Sequence, residues 1–176
     1  MTMRVVLYIA TSLDGFIADR DGGVDWLERF TDAADGDYGY ADFYERIGAL
    51  VIGRTTYEQV RGFGDWPYPG KPTVVFTHDS PEVDQPDVSF TADDPTAVVA
   101  SLREQTDGDL WLVGGGGLIA SFRERGLINE VILTIIPVLL GEGVPLFPGA
   151  QPEAAMRLID VRRFESGIVQ LHYEVG

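Results

Sequence analysis

Apolar residues gather in short blocks, each the length of one strand, and between the blocks they thin out to helical spacing. Residues 4–10 form a near-continuous β-branched and apolar run, the pattern of a strand buried on both faces. Asp14 and Gly15 then mark a tight turn before a short extended piece at residues 16–18. Residues 19–23 are a polar loop. Residues 25–39 mix Trp26, Leu27 and Phe30 with aspartates at poor periodicity, which predicts a short helix plus loop. Phe43, Tyr44 and Ile47 predict an amphipathic helix over 40–47.

Residues 49–52 and 73–76 are two further buried strands, with a weaker candidate at 88–90. A helix over 96–105, capped near Asp94, carries Val98, Val99 and Leu102 on one face. The apolar run at 110–113 breaks into four glycines and resumes as a helix ending near Phe122. Residues 131–136 are the most strand-prone run, and 137–148 are apolar but broken by turn formers. Alternation over 156–164 and 168–175 predicts a terminal antiparallel pair around Ser166 and Gly167. The whole predicts one α/β domain over residues 1–176, a mixed sheet that is mostly parallel with antiparallel C-terminal strands, flanked by helices.

Chemistry concentrates where the predicted strands end. Gly114, Gly115, Gly116 and Gly117, followed by Leu118 and Ile119, join a strand to a helix start. Glycines allow the backbone to approach a ligand closely, and a helix start offers unpaired N–H groups to an anion such as phosphate. Residues 115–120 also fit G-x-G-x-x-A, although four consecutive glycines satisfy much of that pattern by composition; the plain alternative is a flexible turn. Gly53, Arg54, Thr55 and Thr56 repeat the theme after the second strand. There Gly permits the turn, either Thr can cap the helix, and Arg54 adds a cation; the alternative is a capped helix with a surface arginine. The loop at 62–72 is rich in Gly, Pro and aromatics, and Trp66 and Tyr68 either wall a pocket or fill core. Gly70-Lys71 is not a phosphate loop, because Pro72 stands where Ser or Thr is needed.

Composition narrows the classes. A length of 176 residues and 45% hydrophobic content suffice for a core and exclude wholesale disorder. No apolar run is long enough to span a bilayer, and the N-terminal layout is not that of a signal peptide, so a cytoplasmic protein without membrane contact is expected. A net charge of −15 argues against nucleic-acid binding, because a phosphate backbone would be repelled, yet a local pocket can still take a small phosphorylated ligand. With no cysteine and only His78 and His172, no metal site is expected.

Ser12-Leu13-Asp14-Gly15, residues 52–57, residues 113–117 and residues 137–143 occur in the order seen in dihydrofolate-reductase-like proteins. The chain most resembles the reductase domain of bacterial bifunctional riboflavin-biosynthesis deaminase/reductase proteins and its stand-alone relatives, over nearly its whole length. The resemblance implies an NADPH-dependent reductase acting on a small heterocyclic or ribosyl-derived substrate. It places the nicotinamide carboxamide against the Ala10 and Ile17 backbones, and the phosphates and adenosine end against Gly53, Arg54, Thr55 and Thr56. Thr77 and His78 fall where the family reads the 2′-phosphate, and Gly114 to Gly117 with Leu118 and Ile119 would hold the pyrophosphate. By the same resemblance Thr134 matches a threonine that partners a catalytic acid; Asp42 and Asp37 are candidates for that acid, and Asp14 is the better candidate for substrate contact. A homodimer burying the late strands is also implied. Dihydrofolate-type activity and a non-catalytic NADPH-binding scaffold remain alternatives. A Rossmann dehydrogenase fits less well, because its glycine-rich turn should follow the first strand.

Overall fold

The computed structural model describes residues 2–79, 81 and 85–176. The apolar blocks form β1 (Val5–Ser12), β2 (Phe16–Ala18), β3 (Ile47–Gly53), β4 (Thr73–Phe76), β5 (Val88–Thr91), β6 (Asp109–Gly114), β7 (Glu130–Ile136), β8 (Val144–Pro145), β9 (Met156–Arg163) and β10 (Val169–Val175). The periodic segments form α1 (Tyr40–Glu45), α2 (Arg54–Gly62), α3 (Pro95–Gln105) and α4 (Gly116–Glu124). Eight strands make one sheet in the order β5-β4-β3-β6-β1-β7-β10-β9, parallel from β5 to β7 and antiparallel at β10 and β9. The remaining two, β2 and β8, pair antiparallel as a separate arm.

Central strands need apolar residues on both faces because helices cover both. Val5, Leu7, Val51 and Leu112 pack with Val99 of α3 and Ile119 and Phe122 of α4. Val6, Leu50, Ile52 and Trp111 face the other way, onto Phe43 of α1 and Tyr57 of α2. Tyr68 is buried in this second layer and Trp66 packs against it, their rings 5.2 Å apart. Both therefore fill core.

Three local expectations are corrected. Residues 25–39 form turns and a single 3₁₀ turn, Ala33–Asp35, in place of a helix. Gly36, Tyr38 and Gly39 are left-handed there, and aspartates bond to nearby backbone: Asp32 accepts from the Ala34 N–H and Asp37 from those of Gly39 and Ala41. Such local bonds compete with a helical ladder. Ile47 leaves α1 and opens β3, where pairing opposite Asp109 buries it completely. Neither Thr55 nor Thr56 caps α2, since the helix already starts at Arg54 and Gly53 is its N-cap without a side-chain bond. The cap of α3 is as expected: Asp94 accepts from the Thr96 N–H at 2.8 Å, with Pro95 opening the helix.

Candidate active site

The carboxyl ends of β1, β3 and β6 open into a cleft of about 460 Å³, the usual ligand position in an open α/β sheet. It brings together, from four separate stretches, Ala10, Ile17, Gly53, Arg54, Thr55, Thr56, Gly114, Gly115, Gly116, Gly117 and Leu118. Ile119 does not line it; its side chain is fully buried behind the glycines, because α4 turns that face to the core. Thr77 and His78 line an adjoining cavity of about 540 Å³, which shares Gly53, Gly117 and Leu118 with the cleft.

Close packing explains the glycines. A Cβ on Gly116 would lie 2.9 Å from the Pro145 carbonyl oxygen, and one on Gly115 would lie 3.1 Å from Thr56 Oγ1. Gly114 has φ +130, a conformation that side chains other than hydrogen disfavour. Gly117 differs: a Cβ there meets nothing within 4 Å. It is exposed in the first turn of α4 and faces the open space of the cleft. Backbone bare of side chain beside a helix start suits an anionic group.

The arm formed by β2 and β8 roofs the cleft through Ile17, Ala18 and Val144. The Ser12–Gly15 turn joins this arm to β1, and the bonding there is dense. Ser12 Oγ donates to Asp14 at 2.6 Å and accepts from the Phe16 N–H. Asp14 also accepts from the Leu140 and Gly141 N–H groups, at 3.1 and 2.8 Å. The Ser12 hydroxyl and these two amides hold the Asp14 carboxyl below the usual carboxylate range. Asp14 thus fastens the 137–143 segment to the first turn as an anion, and is unsuited to donate a proton at neutral pH.

The other two catalytic candidates lie elsewhere. Asp42 lines a smaller cavity of about 180 Å³ with Tyr8, Arg46, Arg162, Gln170 and His172. Thr134 is buried in β7 beside Ala10 of β1, and its hydroxyl accepts from Gln170 Nε2 at 3.1 Å. Gln170 therefore connects Thr134 to the cavity that holds Asp42; the two candidates do not meet directly. Asp37, the remaining acid candidate, accepts from the backbone at the start of α1, and those bonds lower its carboxyl's pKa. No acidic side chain is among the described residues lining the main cleft.

Sequence reasoning missed Val24, Leu27, Gln59 and Val144, which also line the cleft. Gln59 donates to the Gly22 carbonyl at 2.7 Å and so ties the polar loop to α2. No local pattern signals a contact between residues 37 positions apart.

Over residues 3–170 the chain matches the RibD C-terminal domain. It belongs to that family. Two Bacillus subtilis (strain 168) proteins, both described as uncharacterized, are similar throughout. YwjB is 40% identical over 174 residues, 98% of each chain, and YyaP is 33% identical over 182 residues, 97% of this chain and 94% of that one. A crystal structure from Shewanella sp. PV-4, of a protein assigned provisionally to riboflavin biosynthesis, superposes with a TM-score of 0.90 at 34% identity, covering 99% of both chains. The Thermotoga maritima diaminohydroxyphosphoribosylaminopyrimidine deaminase/5-amino-6-(5-phosphoribosylamino)uracil reductase shares the fold, with a TM-score of 0.74 at 16% identity. This RibD-type chain spans 57% of that bifunctional protein. Among the described residues, no helix is long and apolar enough to cross a membrane.

Proposed function

We propose that this RibD-type chain is an NADPH-dependent reductase. Its substrate would be a small heterocyclic or ribosyl-derived compound of the kind named for the Thermotoga protein. The observation that supports this most is the cleft itself, where bare Gly117 and the start of α4 meet the ends of β1 and β3. Gly114 to Gly117 would take the pyrophosphate, Gly53 to Thr56 the adenosine side, and the Ala10 and Ile17 backbones the carboxamide. The bound nicotinamide would supply the hydride.

The chain's own part is orientation and exclusion of water. Ile9, Ile17, Leu27 and Val144 make the cleft wall apolar, which strengthens the electrostatics of whatever it encloses. With no carboxyl group among the described residues of the lining, the proton for the reduced product would come from water or the substrate, and catalysis would rest on positioning. The test is calorimetric titration with NADPH, then hydride transfer from 4-deuterated NADPH to 5-amino-6-(5-phosphoribosylamino)uracil and related heterocycles, followed by mass spectrometry. Deuterium should appear in one reduced product. Failure of both NADPH and NADH to bind would remove the reading.

We also infer a homodimer through β9. This outermost strand is exposed along all eight residues, with Met156, Leu158, Ile159 and Val161 each 39–49% exposed. A long exposed edge strand invites pairing, and a second copy of the same edge would cover its four apolar side chains. Sedimentation equilibrium should find a dimer at micromolar concentration, and Ile159→Lys with Val161→Lys should give a monomer. A wild-type monomer at high concentration would overturn the inference.

A further inference from the structure

Both guanidinium groups at the Thr77 end of the cleft are already engaged. Arg54 donates through Nε to Glu58 and through Nη1 to Asp79, each at 2.7 Å. Its Nη1 also lies 3.5 Å from Thr77 Oγ1, and Thr77 in turn accepts from the Asp79 N–H at 3.1 Å. Arg125, across the adjoining cavity, donates to Asp94 at 2.9 Å and to Ser121. Asp93 lines the same cavity. Among the described residues, Glu58, Asp79 and Asp94 therefore hold the two cations, and Asp93 adds a fourth carboxylate to the cavity where a ribose 2′-phosphate would arrive.

We propose that Asp79 is a specificity-determining residue that acts through Arg54: by occupying Nη1 it withholds the cation from a 2′-phosphate and keeps the preference for NADPH over NADH small. The proposal rests on the reductase reading above. Asp79 itself need not touch the nucleotide. Its side chain is 78% exposed and Glu58's is 55%, so neither ion pair contributes much to stability. Each still counts in a competition, because a dianionic phosphate must either displace the carboxylate from Arg54 or sit beside it. Glu58 holds Nε one helical turn along α2, on the helix that carries Arg54. Asp79 comes from the segment after β4, the strand beside β3, and shares Nη1 with Thr77, the predicted 2′-phosphate reader. Of the two acids, Asp79 is therefore the one in the phosphate's place.

The test is the ratio of NADPH to NADH dissociation constants, measured by calorimetry on the full chain at low and moderate salt. Asp79→Asn should tighten NADPH about fivefold and leave NADH unchanged, with the gain shrinking as salt rises. In an Arg54→Ala background the same substitution should not change the ratio, which a merely structural role would not predict. Asp79→Ser, with no side chain long enough to hold Arg54, should reproduce the Asp79→Asn result. An unchanged ratio in Asp79→Asn, or equal changes for both nucleotides, overturns the proposal while the reductase reading stands. If neither nucleotide binds wild type or any variant, the reductase reading falls first and the proposal with it.

Discussion

Replacing Gly117 with valine should remove dinucleotide binding and leave the protein folded. The Cβ position at Gly117 is empty to 4 Å and Gly117 lines the cleft, so a side chain can start there without a backbone clash and takes the space a pyrophosphate needs. We expect affinity for NADPH to fall by at least about a hundredfold, some 2.7 kcal/mol, since close backbone approach is the role of glycine at such a turn. Stability should hold or rise by a few tenths of a kcal/mol, because glycine is the poorer helix former. Gly116→Val supplies the contrast. Its Cβ would press on the Pro145 backbone, so that variant should lower the melting temperature and disturb the roof of the cleft. Calorimetry and thermal unfolding on the same two samples separate the cases. Tight NADPH binding by Gly117→Val would rule out the glycine turn as the pyrophosphate site.

The second large effect lies at the other end of the sheet. Glu130 opens β7 and is 1% exposed, yet it is a carboxylate. Arg46 donates to it at 2.6 Å, His172 Nε2 lies at 2.7 Å and Arg4 at 3.5 Å. Arg46 also faces Asp109, and Arg4 bonds Glu174, so the ends of five neighbouring strands, β3, β6, β1, β7 and β10, meet in one ionic cluster. Removing the central anion leaves Arg46 and Arg4 with only their outer carboxylates, Asp109 and Glu174. Glu130→Gln should cost about 2–3 kcal/mol, below the full penalty for breaking a buried pair because the arginines are over a third exposed. Chemical denaturation would show it as a lower midpoint at constant slope. A loss under about 0.5 kcal/mol would mean that the cluster is satisfied by solvent. Nucleotide affinity should be untouched, since Glu130 and the cleft lie at opposite ends of β7 and the strands beside it.

The separation between these two ends gives the chain a simple division of labour. At the carboxyl ends of the parallel strands, the described cleft lining carries no acid and exposes glycine backbone. At the amino ends, opposite charges are paired around the buried Glu130, with the arginines partly exposed. The strands between are apolar on both faces, so changes at one end have little polar material through which to reach the other.

Strand and helix identity was legible in the sequence because it depends on local quantities. A run such as residues 131–136 has few ways to bury itself other than as a strand, and Asp94 before Pro95 marks a helix start within three residues. The order of the Ser12–Gly15, Gly53–Thr56 and Gly114–Gly117 turns likewise carried the family, and with it the cleft residues at three strand ends. Where local bonds compete nearly evenly, as between the aspartates and the backbone over residues 25–39, the poor periodicity was too weak to tell that the short helix is only one 3₁₀ turn. The roles of single side chains were decided only by the tertiary structure. Asp14 could have been a free carboxylate until Leu140 and Gly141, more than 120 positions away, turned out to hold it. Asp42 and Thr134 could have formed a pair until Gln170 was found on the threonine. Arg54 is a cation in any reading of the sequence, but its partner Asp79 is a neighbour only because β3 and β4 lie side by side. Local propensity sets what each segment becomes, whereas charge pairing and proton transfer act over a few ångströms between residues that only the folded sheet brings within reach.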